Sequence, residues 1–172
     1  MQIKRINKNE IDQYYSLLKQ DFCYDERKTK KDELKAFDDN RFNPMWIYEN
    51  NQVIGYFSYW EFDEFIFGEH FAVIKELRNK GYGTRFLKEI LQTINKTLLI
   101  EVECPTNIIS KRRINFYKRI GFQLNTNYNY IQPQYHNNNH DVPLIITTYP
   151  EKINEQQYKK YTQQIREVVY GK

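Results

Sequence analysis

Cysteine is scarce in this chain: Cys23 and Cys104 are the only two among 172 residues. Two thiols so far apart build neither a disulfide framework nor a metal-ligand spacing, so buried free thiols and no bound metal are expected. Apolar runs long enough to span a bilayer are also missing. The opening residues, MQIKRINKNEIDQYY, lack the apolar core of a signal peptide, and a cytoplasmic location is the expectation. No stretch rich in glycine, serine or proline cuts the chain and no repeat is visible, so one domain over residues 1–172 is expected. Nor is charge of one sign gathered: a net charge of +4 is spread among interspersed acids and bases, with local clusters at Lys111-Arg112-Arg113 and Lys118-Arg119. A nucleic-acid binder wants a broader basic face or a recognition motif, so neither nucleic acid nor membrane is an expected partner.

What is present is a foldable chain, 40% hydrophobic and 28% charged, with one organising stretch, Ala72 to Ile90. It starts apolar, passes through charged residues to two glycines, Gly81 and Gly83, and then takes helix period. Phe86, Leu87, Ile90, Leu91 and Ile94 fall on one side, Arg85, Lys88 and Glu89 on the other. A strand, a glycine turn and a helix start follow. The free N–H groups and peptide dipoles of a helix start suit a phosphate, and Arg78, Lys80 and Arg85 flank the turn as candidate phosphate partners. Gly83-Thr84-Arg85 stands where a Walker loop needs Gly-Lys-Ser/Thr, and the third glycine of a dinucleotide fingerprint is missing.

Elsewhere, residues 2–7 read as a short strand, and Asn9 with Asp12 as a cap for a helix bearing Ile11, Tyr14, Tyr15, Leu18 and Phe22. Tyr24 to Asp39, highly charged, reads as a short helix and loop on the surface. Residues 45–49, Val53 to Trp60 and Phe65 to Val73 read as an antiparallel meander turning at Asn50-Asn51, with Gly55 allowing a bend or close approach. Thr97 to Glu103 is a strand carrying Glu101 and Glu103 on one face. Ser110 is read as the cap of the next helix and Gly121 as its left-handed end. Phe122 to Tyr130 reads as a long strand, Ile131 to Asn139 as a polar loop, and Leu144 to Thr148 as the last strand. Residues 154–170 form an amphipathic helix with Tyr158, Tyr161, Ile165, Val168 and Val169 on its apolar side, docking in cis or on another subunit.

Arg78-Asn79-Lys80-Gly81-Tyr82-Gly83 resembles the Arg/Gln-x-x-Gly-x-Gly/Ala acyl-coenzyme A site of the GNAT N-acetyltransferase superfamily. A second segment, Ile114-Asn115-Phe116-Tyr117-Lys118-Arg119-Ile120-Gly121-Phe122, resembles the family's helix ending in tyrosine, two basic residues, an aliphatic residue, glycine and phenylalanine. The likeness covers roughly residues 45–125. It implies an α/β (α+β) fold of the acyl-CoA N-acyltransferase type, with a mixed, mostly antiparallel central sheet flanked by helices. It also implies transfer of an acetyl group from acetyl-coenzyme A to a primary amine. Acids at Glu61, Asp63 and Glu64, with aromatics near the N-terminus, favour a small cationic amine. The alternatives are a protein N-terminus or lysine as acceptor, or a non-catalytic acyl-coenzyme A sensor, in a monomer or homodimer.

The resemblance also implies roles for residues. Arg78, Asn79, Lys80, Gly81, Tyr82, Gly83 and Thr84 would hold the pyrophosphate, while Phe71, Ala72 and Val73 would bond the pantetheine arm, with the Val73 N–H polarising the thioester. Tyr117 matches the tyrosine that protonates the departing thiolate; with an ordinary pKa of about 10, it carries its proton at neutral pH. Glu69 is the first candidate base, raised by burial, and Glu103 the second, with Glu101 and His70 as rivals. On strict alternation His70 faces away from Glu69. Where many members carry asparagine seven residues before the tyrosine and alanine four before it, this chain has Ser110 and Arg113. The asparagine's contact then falls to Ser110 or Asn107 or is not made, and Arg113 approaches the coenzyme's phosphates or points to solvent.

Overall fold

The computed structural model describes residues 1–136 and 141–172. In chain order the elements are β1 (Gln2–Arg5), α1 (Ile11–Asp21), α2 (Lys30–Ala36), β2 (Phe42–Glu49), β3 (Gln52–Glu61), β4 (Phe65–Val73), α3 (Tyr82–Leu91), β5 (Thr97–Glu103), α4 (Ile108–Ile120), β6 (Gln123–Leu124), β7 (Tyr130–Gln132), β8 (Val142–Tyr149) and α5 (Glu155–Val168). The sheet runs β1-β2-β3-β4-β5-β8-β6, with β7 also pairing β8. Among the described residues β4 and β5 are the parallel pair, joined by the crossover through α3; the other pairings are antiparallel. This is the mixed, mostly antiparallel sheet that the sequence implied.

Alternation along the strands sorts the core onto two faces. Phe57, Ile66, Leu98, Ile100 and Val102 pack against Phe86, Leu87 and Ile90 of α3 and Ile114 and Tyr117 of α4. On the other face Trp60, Phe65, Phe67 and Leu99 meet Tyr161 and Ile165 of α5, and Trp46 and Tyr56 meet Tyr14 and Leu18 of α1. Each large apolar side chain so buried contributes about 1.5–3 kcal/mol. The terminal helix thus docks on its own chain, opened by Asn154, whose side chain accepts from Gln157 N–H. Asn50 and Asn51 take positive φ at the β2–β3 turn, as a two-residue hairpin demands. Gly55 is a close approach, because a Cβ there would stand 2.5 Å from the Ala72 carbonyl oxygen.

Several local expectations are corrected. The cap before α1 is Asn7 with Glu10 three residues on, not Asn9 with Asp12. Asn107, not Ser110, caps α4; its carboxamide oxygen accepts from Ile109 and Ser110 N–H, and the Ser110 hydroxyl serves as the other half of the box. Gly121 does close α4 in the left-handed region, at φ 113°. The strand expected over Phe122 to Tyr130 breaks after Leu124. Asn125 is buried there, bonding Ile146 O and Thr148 Oγ1 and accepting from Ile153 N–H. Ile131 and Gln132 belong to β7 rather than to a polar loop, and that loop's end at Asn137–Asn139 lies outside the described residues. Cys23 is exposed and Cys104 half-exposed, so neither thiol is buried. Tyr24 to Asp39 is not all surface, for Lys28 and Glu33 are buried.

Candidate active site

β4 and β5 are hydrogen-bonded only from Phe65/Thr97 to Gly68/Ile100. Beyond that, β4 continues to Val73 along β3, and β5 continues to Glu103 along β8. The two strands splay, leaving the β4 edge from Glu69 to Val73 without a ladder partner on the β5 side. Unpaired strand groups of this kind are ready to bond an extended amide-bearing chain. The notch opens into a cleft of about 550 Å³ between the β4 edge, the start of α3 and one side of α4.

At one end of the cleft is the glycine turn. Gly81 precedes α3 at φ 81°, a conformation that L side chains resist, and no side chain caps the helix. The first intrahelical bond runs from Arg85 N–H to Gly81 O, so the N–H groups of Tyr82, Gly83 and Thr84 have no partner within the helix. Gly83 lies against β4 and α4, where an added Cβ would meet Phe71, Val73 and Phe116 at 3.5–3.6 Å. Free N–H groups, the positive helix end and a surface bare of side chains fit a pyrophosphate.

Of the expected coenzyme contacts, Phe71, Ala72, Val73, Arg78, Asn79, Gly81, Tyr82, Gly83, Thr84 and Arg113 line this one cleft. Lys80, Asn107 and Ser110 do not; the last two are spent on capping α4. Arg78 donates to Val73 O at 2.9 Å and to Asp21, which also accepts from the Tyr56 hydroxyl, so α1 is tied to the glycine turn. Arg85 is engaged by Glu49 and Glu89 on the surface rather than turned to the cleft. Arg119 lines the cleft in its place; its position on the second motif was legible, its direction was not.

Tyr117 also lines the cleft, packed edge-on between Phe116 and Phe122. Burial pushes its phenol up to about 12, against a lowering by Arg113, so it holds its proton at neutral pH.

The carboxylates divide differently from the expectation. The β3–β4 register slips between Ser58/His70 and Tyr59/Gly68, so Glu69 is the extra residue of a β-bulge. The bulge turns Glu69 and His70 to the same face: Trp60 donates to Glu69 at 2.7 Å while Ser58, two residues earlier, meets the His70 ring. His70 is buried against Phe22, with Nε2 on Glu26 O, and burial lowers its pKa. Glu69 lines the cleft but accepts from three donors, Lys28, Trp60 and Tyr135. Burial is the largest single influence and raises the carboxyl, but the Lys28 ammonium, His70 and the bonds from Lys28 and Tyr135 together outweigh it and hold Glu69 well below the usual range. That is the reverse of the shift expected of a base. Glu103 lies at an exposed strand end, bonded to Arg113 at 2.7 Å, away from the cleft wall.

Glu101 meets a third environment. It lines the cleft, accepts from the Tyr130 hydroxyl and from the Tyr170 hydroxyl at 2.7 Å, and forms no ion pair among the described residues. Burial, partly offset by the two phenols, pushes it up to about 7. Glu69 and Glu101 bond to aromatic groups of the α5 face, whereas Tyr117 packs among side chains of the α3–α4 face. A phenol and a carboxyl thus line the cleft from opposite faces of the sheet. Among the described residues no cluster of His, Cys, Asp or Glu suits a metal ion, and no helix is long and apolar enough to cross a membrane.

The model of the Acetyltransferase (GNAT) family matches residues 11–122. Among solved structures, a protein of Bacteroides thetaiotaomicron assigned to the GNAT acetyltransferases is 31% identical, with a TM-score of 0.92 over 100% of this chain and 99% of that one. The ribosomal-protein-S18-alanine N-acetyltransferase of Escherichia coli shares the fold at 16% identity and TM-score 0.65, covering 90% of this chain and 96% of that one. An aminoglycoside 6'-N-acetyltransferase complexed with coenzyme A does so at 13% identity and TM-score 0.62, over 90% and 100%. No curated protein matches the chain.

Proposed function

Because the chain belongs to the GNAT family of acetyl-coenzyme A-dependent acetyltransferases, we propose that its acceptor is a small cationic primary amine. We further propose that Tyr117 and Glu101 carry the proton transfers. The observation that carries this reading is the cleft itself. It is a notch between splayed strands, with a protonated phenol on one side and a carboxyl near neutrality on the other.

Coenzyme binding would fall to the N–H groups at the start of α3 for the pyrophosphate and to the free β4 edge through Val73 for the pantetheine arm. Attack on a thioester needs a neutral amine. Glu101 takes the ammonium proton, directly or through one water, and its anionic form draws the cation in. As the C–N bond forms and the C–S bond breaks, Tyr117 gives its proton to the leaving sulfur, and the second proton lost by the amine nitrogen restores the phenol through water. A compact acceptor is supported by contacts that bridge two loops on the α5 side. The His136 ring stacks on Tyr24 and bonds Tyr24 O and Arg27 O, while Tyr135 reaches Glu69. These contacts join two loops beside the carboxylates, and a polypeptide needs a more open groove.

The test is thiol release from acetyl-coenzyme A across polyamines, aminoglycosides, amino acids and peptides. Tyr117→Phe should slow turnover by about 10²–10⁴-fold with coenzyme affinity kept. Glu101→Gln should do likewise and remove a rise of kcat/KM with pH through neutrality. Peptides as the preferred acceptors would sink the small-amine reading. Full activity in Glu101→Gln would remove its assigned role.

A further inference from the structure

Behind the cleft lies a buried ionic cluster that this chemistry does not use. Lys28, from the loop between α1 and α2, is 8% exposed. Its ammonium is bonded to Glu69 and sits 4.8 Å from the Tyr135 ring centroid and 5.3 Å from that of Trp60. Tyr135 donates to Glu69 at 2.7 Å and its ring rests against Tyr170, whose hydroxyl holds Glu101. A continuous set of side chains therefore runs from Lys28 to Glu101.

A buried carboxylate without a cation takes up a proton, and one with a cation stays an anion. Lys28 is the foremost of the groups that keep Glu69 an anion, with His70 and Tyr135 beside it. Glu69 in turn stands with Glu101 on the wall of the same cleft, where a neighbouring anion makes a carboxyl hold its proton and a neighbouring cation makes it let go. The groups that act on Glu101 come from every side. They are Tyr130 of β7, Tyr170 beyond α5, Glu69 of β4 and Lys28 of the α1–α2 loop, with Tyr135 coupled to both acids.

We propose that Lys28 and Glu69 are positioning residues of the acyl-transfer site, a buried ion pair that sets the charge and the tyrosine frame against which Glu101 works. The proposal rests on the reading of Glu101 as proton acceptor. It gives Glu69 a task other than accepting the proton.

The experiment follows the side-chain carboxyl resonances of ¹³C-labelled glutamate against pH, with neither coenzyme nor acceptor, beside kcat/KM profiles. In the wild type Glu69 should stay ionised over roughly pH 5–9 while Glu101 titrates within that range. Glu69→Gln removes the anion and leaves the Lys28 charge, which also acts on the buried Glu33. In a Glu33→Gln background, which removes that second titrating carboxyl, the Glu101 titration and the acidic limb of the profile should both move down by about one pH unit. Lys28→Met combined with Glu69→Gln removes both charges and should restore most of the shift. The proposal is overturned by Glu69 itself titrating in that range, by an unmoved Glu101 in Glu69→Gln, or by a double variant identical to the single one. The wild-type titration requires no variant, so a Glu69→Gln protein that does not fold leaves the first criterion in force. A shifted Glu101 resonance with no matching kinetic limb would count against Glu101 as proton acceptor, while supporting the action of the pair upon it.

Discussion

Glu33, Glu69 and Glu101 are all withdrawn from water, and each meets a different environment. Glu69 is saturated by donors and Glu101 is held by two phenols. Glu33, in the first turns of α2, has neither carboxyl oxygen hydrogen-bonded among the described residues, and the nearby Tyr14 hydroxyl is likewise unpartnered. Burial, against a lowering by Lys28, raises Glu33 to about 7. The sign follows from proton counting. With the folded pKa above the ordinary 4.5, the native state holds a proton that the unfolded chain has released, so stability falls as pH rises from 4.5 through 7. Glu33→Gln should therefore match the wild type near pH 4 and exceed it above pH 7 by on the order of 3 kcal/mol, measured by urea denaturation at both pH values. Equal stability at both would show that Glu33 is not held neutral. A lysine and a glutamate in a charged stretch read as surface. Their burial depends on Trp60, Tyr135 and Tyr14, which lie far from them in sequence.

The turn into α3 is the element proposed to hold the coenzyme's pyrophosphate. Gly81 and Gly83 belong to one motif for different reasons. Gly81 has a positive φ and open space around it; Gly83 has ordinary backbone angles and neighbours at contact distance. Gly81→Ala should thus act through backbone strain alone, about 1–2 kcal/mol, weakening acetyl-coenzyme A binding by roughly 5–30-fold in calorimetry. An unchanged affinity would mean that the turn adapts. This element was legible because its signal is local: apolar strand, glycine turn and helix period follow one another in the chain. The bulge that aims Glu69 was not legible, since a bulge is defined by the register of β3 against β4. The break after Leu124 was hidden for a similar reason, as the partners of Asn125 lie some twenty to thirty residues further on.

At the scale of the molecule, the sheet separates two kinds of surface chemistry. α3 and α4 bring the helix start, Arg119 and Tyr117 to one side; α1, α2 and α5 bring Lys28, Glu33 and Tyr170 to the other. At the splay of β4 and β5 both sides reach the same space. A coenzyme bound there spans β4, α3 and α4 and stabilises the fold by mass action. Acetyl-coenzyme A at a hundred times its Kd should add about 2.7 kcal/mol, seen as a rise in Tm. No rise at saturating coenzyme would contradict the site as drawn.

Residues 72–90 and 114–122 carried, in their own order, the family and the strand-turn-helix at its centre, and they supply the residues proposed for the coenzyme and the acid. Each rests on backbone conformation or helix periodicity, properties set within a few neighbouring residues. The choice among carboxylates was decided only by tertiary structure. Glu69, Glu101 and Glu103 are alike as side chains, and what separates them is a lysine from position 28, phenols from positions 130, 135 and 170, and an arginine from position 113. A proton affinity is a property of surroundings, and these surroundings exist only once the chain has folded.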